Sequence, residues 1–183
     1  YERFREALDD ERASRWARER LLQIGAADPE LAIETRQLAE EALAEDGQDI
    51  QALLALAAIA VRERSWGEAT SRYEMLAEIA RSRRERFDAV AAELAAAAAA
   101  TPIDPAGALA AYERAAARAR DSVTAHRALF ELRSAQGDWE GAAQAGERLA
   151  KLETDPERRG GIHRDLGHLY RAQIGDLKKA RVH

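Results

Sequence analysis

Apolar positions recur along this chain with helical rather than alternating spacing. In "AGALAAYERAAARA" Ala108, Tyr112 and Ala115 fall at i, i+4 and i+7, and in "GEATSRYEMLAEIA" Ala69, Tyr73 and Leu76 do the same. That spacing puts each trio on one face of a helix. Other helical segments precede these two and their counterparts: "DIQALLALAAIAVRE", "FDAVAAELAAAAAA", "VTAHRALFELRSA" and "GIHRDLGHLYRAQ". Turns of a few residues such as "QGD" and "IGD" separate the partners, so the predicted unit is a helical hairpin.

One short pattern marks the start of each second helix. "DPELA" ends at Ala32, "SWGEA" at Ala69, "DPAGA" at Ala108, "DWEGA" at Ala142 and "DLKKA" at Ala180, with spacings of 37, 39, 34 and 38 residues. Asp28, Ser65, Asp104, Asp138 and Asp176 are predicted N-caps, whose side chains accept hydrogen bonds from the free amides of the first turn. Pro29 and Pro105 follow at the favoured first helical position. Hairpins repeating at this period cannot bury their apolar faces alone and must stack on neighbours. The prediction is an all-α chain, an α-solenoid of stacked antiparallel helical hairpins, as a single array of about five repeat lengths over 1–183. The helix pairs are placed at roughly 11–46, 49–82, 87–120, 122–154 and 160–183, with 1–9 the remainder of a preceding second helix.

Composition agrees with helices and narrows the chemistry. Hydrophobic residues make up 46% of 183 and charged residues 33%, but most of the apolar share is alanine, aromatics are 5%, and β-branched residues are scarce, which disfavours strands. A net charge of -5 offers no overall attraction to nucleic acid or anionic lipid. Zero cysteines exclude disulfides and thiolate metal sites without fixing a compartment, for which cytoplasm is favoured. The alanine stretch "AVAAELAAAAAATP" contains Glu93 and stops at Thr101-Pro102, well short of the roughly 20 apolar residues a bilayer requires, so no membrane insertion is expected. Twenty-five arginines against three lysines, with no asparagine, point to GC-rich coding and a bacterial source.

The ends of the sequence complement each other. Tyr-Glu pairs begin four residues after Ala69 and Ala108, the sequence opens with "YERF", and joining Ala180-Arg181-Val182-His183 to Tyr1 gives a repeat spacing of 35. The expectation is a window of a longer array, with apolar residues such as Phe4, Leu8 and Leu177 left for further repeats or for end-to-end self-association through the terminal helices.

Several residues resemble those of a known family. Leu166-Gly167, Tyr170, Gly175-Asp176 and Ala180, with one extra residue in the turn, are similar to the tetratricopeptide repeat pattern of Leu-Gly, Tyr and Ala. Leu129-Phe130, Gly137-Asp138-Trp139 and Ala142 match it again, as do Leu53, Leu56-Ala57, Trp66, Ala69 and Tyr73. The chain departs from the pattern at Arg133, where an aromatic would stand, and at Gly146, where Tyr73 and Tyr112 have their counterpart; Arg20 replaces the small residue of the first pair. HEAT-like or other helical pairs are the structural alternative.

The resemblance implies a right-handed superhelix whose first helices line a concave groove for an extended or helical partner segment. Carried over to this chain, that surface comprises Gln51, Leu54, Ala55, Ala58 and Arg62, then Ala92, Glu93 and Ala96. Thr124, Arg127 and Glu131 continue it, and Arg164, Asp165, His168 and Arg171 close it. The sub-type that clamps a terminal carboxylate relies on asparagines, which this chain lacks.

Catalytic and metal signatures are missing from the sequence. There is no Gly-x-Ser-x-Gly elbow, and His163 and His168, five apart, diverge on a helix rather than forming an i, i+4 ligand pair; no cofactor is expected. Gly160-Gly161 reads as a connector ending one helix pair, and Trp66 and Trp139 as staples between hairpins. In "RSRRERF" Arg81, Arg83, Arg84 and Arg86 read first as a solvated helix C-terminus and second as a phosphate or acidic-peptide contact. The expected function is therefore a noncatalytic scaffold for a protein or peptide partner, ahead of a regulatory or sensor array controlling an attached effector module, with Arg-dependent nucleic-acid binding third.

Overall fold

Caps decide where the helices begin. In the computed structural model, which describes residues 1, 5, 14–84 and 86–183, side chains of Asp49, Asp104, Ser122, Asp138, Asp155 and Asp176 each accept a hydrogen bond from the backbone amide three residues on. Asp28 accepts from Glu30 and caps a 3-10 turn, Pro29–Leu31, ahead of the helix proper. Ser65 precedes a helix but its side chain makes no capping bond, which corrects the expectation from sequence. Its place is fixed instead by a backbone motif: Ser65 N donates to Ala60 O and Arg64 N to Val61 O, with Arg64 left-handed at φ 59.

Two compact units result, residues 1–103 and 104–183. The first contains α1 (Ser14–Ala27), α2 (Ala32–Glu45), α3 (Ile50–Arg62), α4 (Trp66–Ser82) and α5 (Arg86–Ala100). Each packs on the next, and α1 also packs on α3, so the first helices of successive hairpins meet directly. The second contains α6 (Pro105–Arg118), α7 (Val123–Gln136), α8 (Trp139–Leu152), α9 (Pro156–Leu169), a π-turn (Tyr170–Ile174) and α10 (Leu177–Val182). Here too neighbours in sequence are neighbours in space. The fold is all-α, built of stacked antiparallel helical hairpins, with no strand among the described residues.

Small residues set how closely the helices approach. The motif alanines Ala69, Ala108 and Ala142 are wholly buried, and Ala60, Ala69 and Ala99 bring α3, α4 and α5 together. At the α1–α2 crossing a Cβ on Gly25 would lie 1.8 Å from Thr35 Oγ1 and 3.0 Å from its Cβ, so only glycine allows this approach. Gly146 explains a departure from the repeat pattern: a Cβ there would sit 2.8 Å from Leu166 Cδ2 and 3.0 Å from Phe130 Cδ2. Phe130 thus fills the volume that a tyrosine at 146 would claim. Arg133, in place of an aromatic, binds outward-facing partners instead, donating to Gly141 O at 3.0 Å and to Glu113 at 2.8 Å.

Two further readings change. Gly160-Gly161 is not a connector: both lie inside α9, which starts at Pro156 behind the Asp155 cap and buries Ile162, Leu166 and Leu169 along one face. The extra residue in the last turn is taken up by the π-turn, closed by Asp176 N donating to Tyr170 O at 2.9 Å and by Gly175 at φ 81.

Candidate functional site

In the first unit, α3, α4 and α5 enclose an apolar groove of about 320 Å³. Ile50 and Leu54 of α3 form one wall, Ala91, Ala92 and Ala95 of α5 the other, and Tyr73, Leu76 and Ala80 of α4 the floor. Beneath it Leu53, Leu76 and Ile79 make a buried cluster on which Tyr73 and Ala92 rest. The trough exists because α5 presents methyl groups where longer side chains would fill the space. Leu54 overhangs it at 43% exposure. Burial pushes the Tyr73 phenol above its ordinary pKa, so the one hydroxyl in the lining stays protonated.

One end of the groove opens onto acidic ground. Ile50 also lines an adjoining cavity of about 210 Å³ bounded by Glu19, Asp46, Gln48, Asp49, Gln51 and Arg83. Glu19, Asp46 and Asp49 continue into a third cavity of about 280 Å³ with Arg18, Leu22, Ala42 and Glu45. There Arg18 binds Glu45 through both terminal nitrogens and holds that carboxyl below the usual range. Asp49 spends one oxygen capping α3 and Asp46 one on Gln48 N.

The residues expected to form a concave surface divide into three groups. Leu54 and Ala92 line the groove, Gln51 lines the acidic cavity beside it, and Ala58 is partly exposed. Ala55 and Ala96, at 2% and 7% exposure, are packing positions instead. Ala55 belongs to the cluster of Leu22, Ala39, Ala42, Ala52 and Leu56 that joins α1, α2 and α3. A third group ties hairpins together: Arg62 donates to Ala26 O at 3.0 Å, Glu93 accepts from Arg81 at 2.8 Å, and Arg127 binds the buried Glu153 at 3.1 Å. Thr124, Glu131, Arg164, Asp165, His168 and Arg171 are exposed on the second unit. Ala91, Ala95 and the α4 floor were not anticipated, since a run of alanines carries no signal of which face is outward.

The arginine cluster is partly committed. Arg81 pairs with Glu78 at 2.6 Å as well as with Glu93, while Arg83 and Arg84 are exposed and the Arg86 side chain lies outside the described residues. Leu177 is 59% exposed, as expected of an apolar terminal position; Phe4 and Leu8 lie outside the described residues. Trp139 packs on the second unit's main core, between α8 and α9.

A polar cluster in the second unit went unforeseen. His163 Nδ1 and His183 Nδ1 are 2.9 Å apart, the two rings stack, and His183 also stacks on Tyr170. The Tyr170 hydroxyl donates to Glu147 and accepts from Lys179 Nζ at 3.3 Å. Burial and the Glu147 hydrogen bond push the Tyr170 phenol up, against Lys179. Twenty residues separate the two histidines, and only the docking of α10 on α9 reveals the pairing. Among the described residues no group of three or more His, Cys, Asp or Glu could hold a metal ion, and no helix is long and apolar enough to cross a membrane. Comparison with protein-family models and with curated proteins gives no match to the chain.

Proposed function

We propose that this chain is a noncatalytic interaction scaffold of the tetratricopeptide type, taking a segment of a protein partner in the groove between α3, α4 and α5. One observation carries the reading: an open apolar trough of about 320 Å³ with Leu54 overhanging it at 43% exposure. Its lining is hydrocarbon apart from the Tyr73 hydroxyl. Such a surface holds a bulky side chain by excluding water, at about 25 cal/mol for each Å² of apolar area covered. It offers no acid–base pair to a substrate, so binding rather than bond-making is the chemistry it suits. The pattern of Leu166-Gly167, Tyr170 and Ala180 and the stacking of α1 on α3 support the family assignment.

Leu54→Glu tests the reading. The position is exposed, so the helix tolerates glutamate, while a carboxylate in the trough opposes an apolar ligand. Partners cross-linked to the chain in its native cell are expected to be lost from the variant while its circular dichroism is unchanged. Retention of every cross-linked partner by the variant refutes the proposal.

A further inference from the structure

We infer that the partner segment of this groove carries a bulky apolar side chain with an arginine or lysine within about three residues of it, an inference that rests on the groove reading above. The apolar trough and the acidic cavity are not separate features, because Ile50 lines both. Leu54 lies one helical turn further along α3, about 6 Å away. An extended chain advances roughly 3.3–3.6 Å per residue. A segment whose apolar side chain rests between Leu54 and Ala92 therefore brings its second or third neighbour level with Glu19 and Asp46.

The sign of the charge there selects a cation. Three carboxylates, Glu19, Asp46 and Asp49, line the cavity beside Ile50 against one guanidinium, Arg83. Glu45 does not add to this surplus because Arg18 neutralises it. Asp46 has one oxygen left after its bond to Gln48 N, and Glu19 faces both acidic cavities. A bare metal ion is a poor occupant, since no three of these carboxylates are grouped as metal ligands among the described residues. A long cationic side chain reaches such spread charges one at a time, with its methylenes along Ile50. Like-charge repulsion rejects acidic segments from the same mouth.

The test is selection of a random displayed peptide library on the 183-residue chain, with binders to Leu54→Glu subtracted. The expected survivors pair an aromatic, leucine, isoleucine or methionine with arginine or lysine within three positions. A synthetic peptide of the most enriched sequence is then expected to bind about tenfold more weakly to the Glu19→Gln, Asp46→Asn double variant, and to weaken similarly between about 50 and 500 mM salt. Asparagine at 46 keeps the acceptor for Gln48 N, and circular dichroism verifies the fold. Survivors that depend on Leu54 but show no enrichment in basic residues, or that ignore the double variant, overturn this inference and leave the groove standing. No Leu54-dependent survivor at all overturns the groove itself.

Discussion

Gly25→Ala tests how closely α1 and α2 cross. Alanine in place of glycine inside a helix gains about 1 kcal/mol from backbone entropy, so on propensity alone the variant is stabilised. Against this the new methyl would meet Thr35 Oγ1 at 1.8 Å, Cβ at 3.0 Å and Cγ2 at 3.1 Å. Rotating Thr35 relieves the first contact, but its Cβ moves only with the α2 backbone, and Thr35 is wholly buried. Overpacking of this kind costs about 1–3 kcal/mol, and a clash with a backbone-fixed atom belongs at the upper end, leaving a net loss of about 2 kcal/mol. Urea denaturation of the first unit's signal, followed by Trp16 and Trp66 fluorescence, measures it. Thr35→Ala removes Oγ1 and Cγ2 but not Cβ, so in the Gly25→Ala background it is expected to recover about half the loss, a coupling near 1 kcal/mol in a double-mutant cycle. A Gly25→Ala protein as stable as the parent refutes the geometry of the crossing.

Other outcomes follow from the same packing. Ala96→Leu is expected to cost about 1–3 kcal/mol in denaturation, since the position is packed; unchanged stability would place it on open surface. Arg64→Gly is expected to stabilise by about 1 kcal/mol, because Arg64 holds a left-handed conformation in the backbone motif where the equivalent turn has Gly137 at φ 78. Burial, then the nearby His163, lowers the His183 pKa from its ordinary 6.5, with Glu147 opposing and Lys179 assisting. The folded state therefore binds fewer protons than the unfolded one, and the contribution of His183 is full above pH 6.5 and lost as pH falls below it toward the lowered value. Amide exchange in α10 is expected to quicken over that window, and not in His183→Gln.

Much of the architecture is legible where side chains act locally. Aspartate followed by proline or an apolar run fixes a helix start through bonds spanning three residues, and Asp104, Asp138 and Asp176 behave accordingly. The same signal stands at Asp155-Pro156, but the two glycines downstream draw the eye to a later start; the buried face of Ile162, Leu166 and Leu169 outweighs their cost. The groove is legible only in part. Leu54 and Ala92 follow from helical phase within a hairpin, whereas Ala55 and Ala96 are buried by neighbouring helices whose rotation no local spacing encodes. Arg62, Glu93 and Arg127 look like surface charges in sequence and become ties because their partners lie 36, 12 and 26 residues away.

The π-turn at Tyr170–Ile174 bears on how this chain tolerates change in length. One residue added to an α-helix advances everything after it by about 100° and would swing the buried edge of the next segment into water. Here the widened turn absorbs that step before Gly175, so Asp176 still caps α10 and Ala180 still reaches the core of its unit. The turn works as a vernier: a single-codon insertion or deletion there is corrected within five residues. Repeats of 34 to 39 residues can then share one stacking scheme without the rest of the sequence having to adjust.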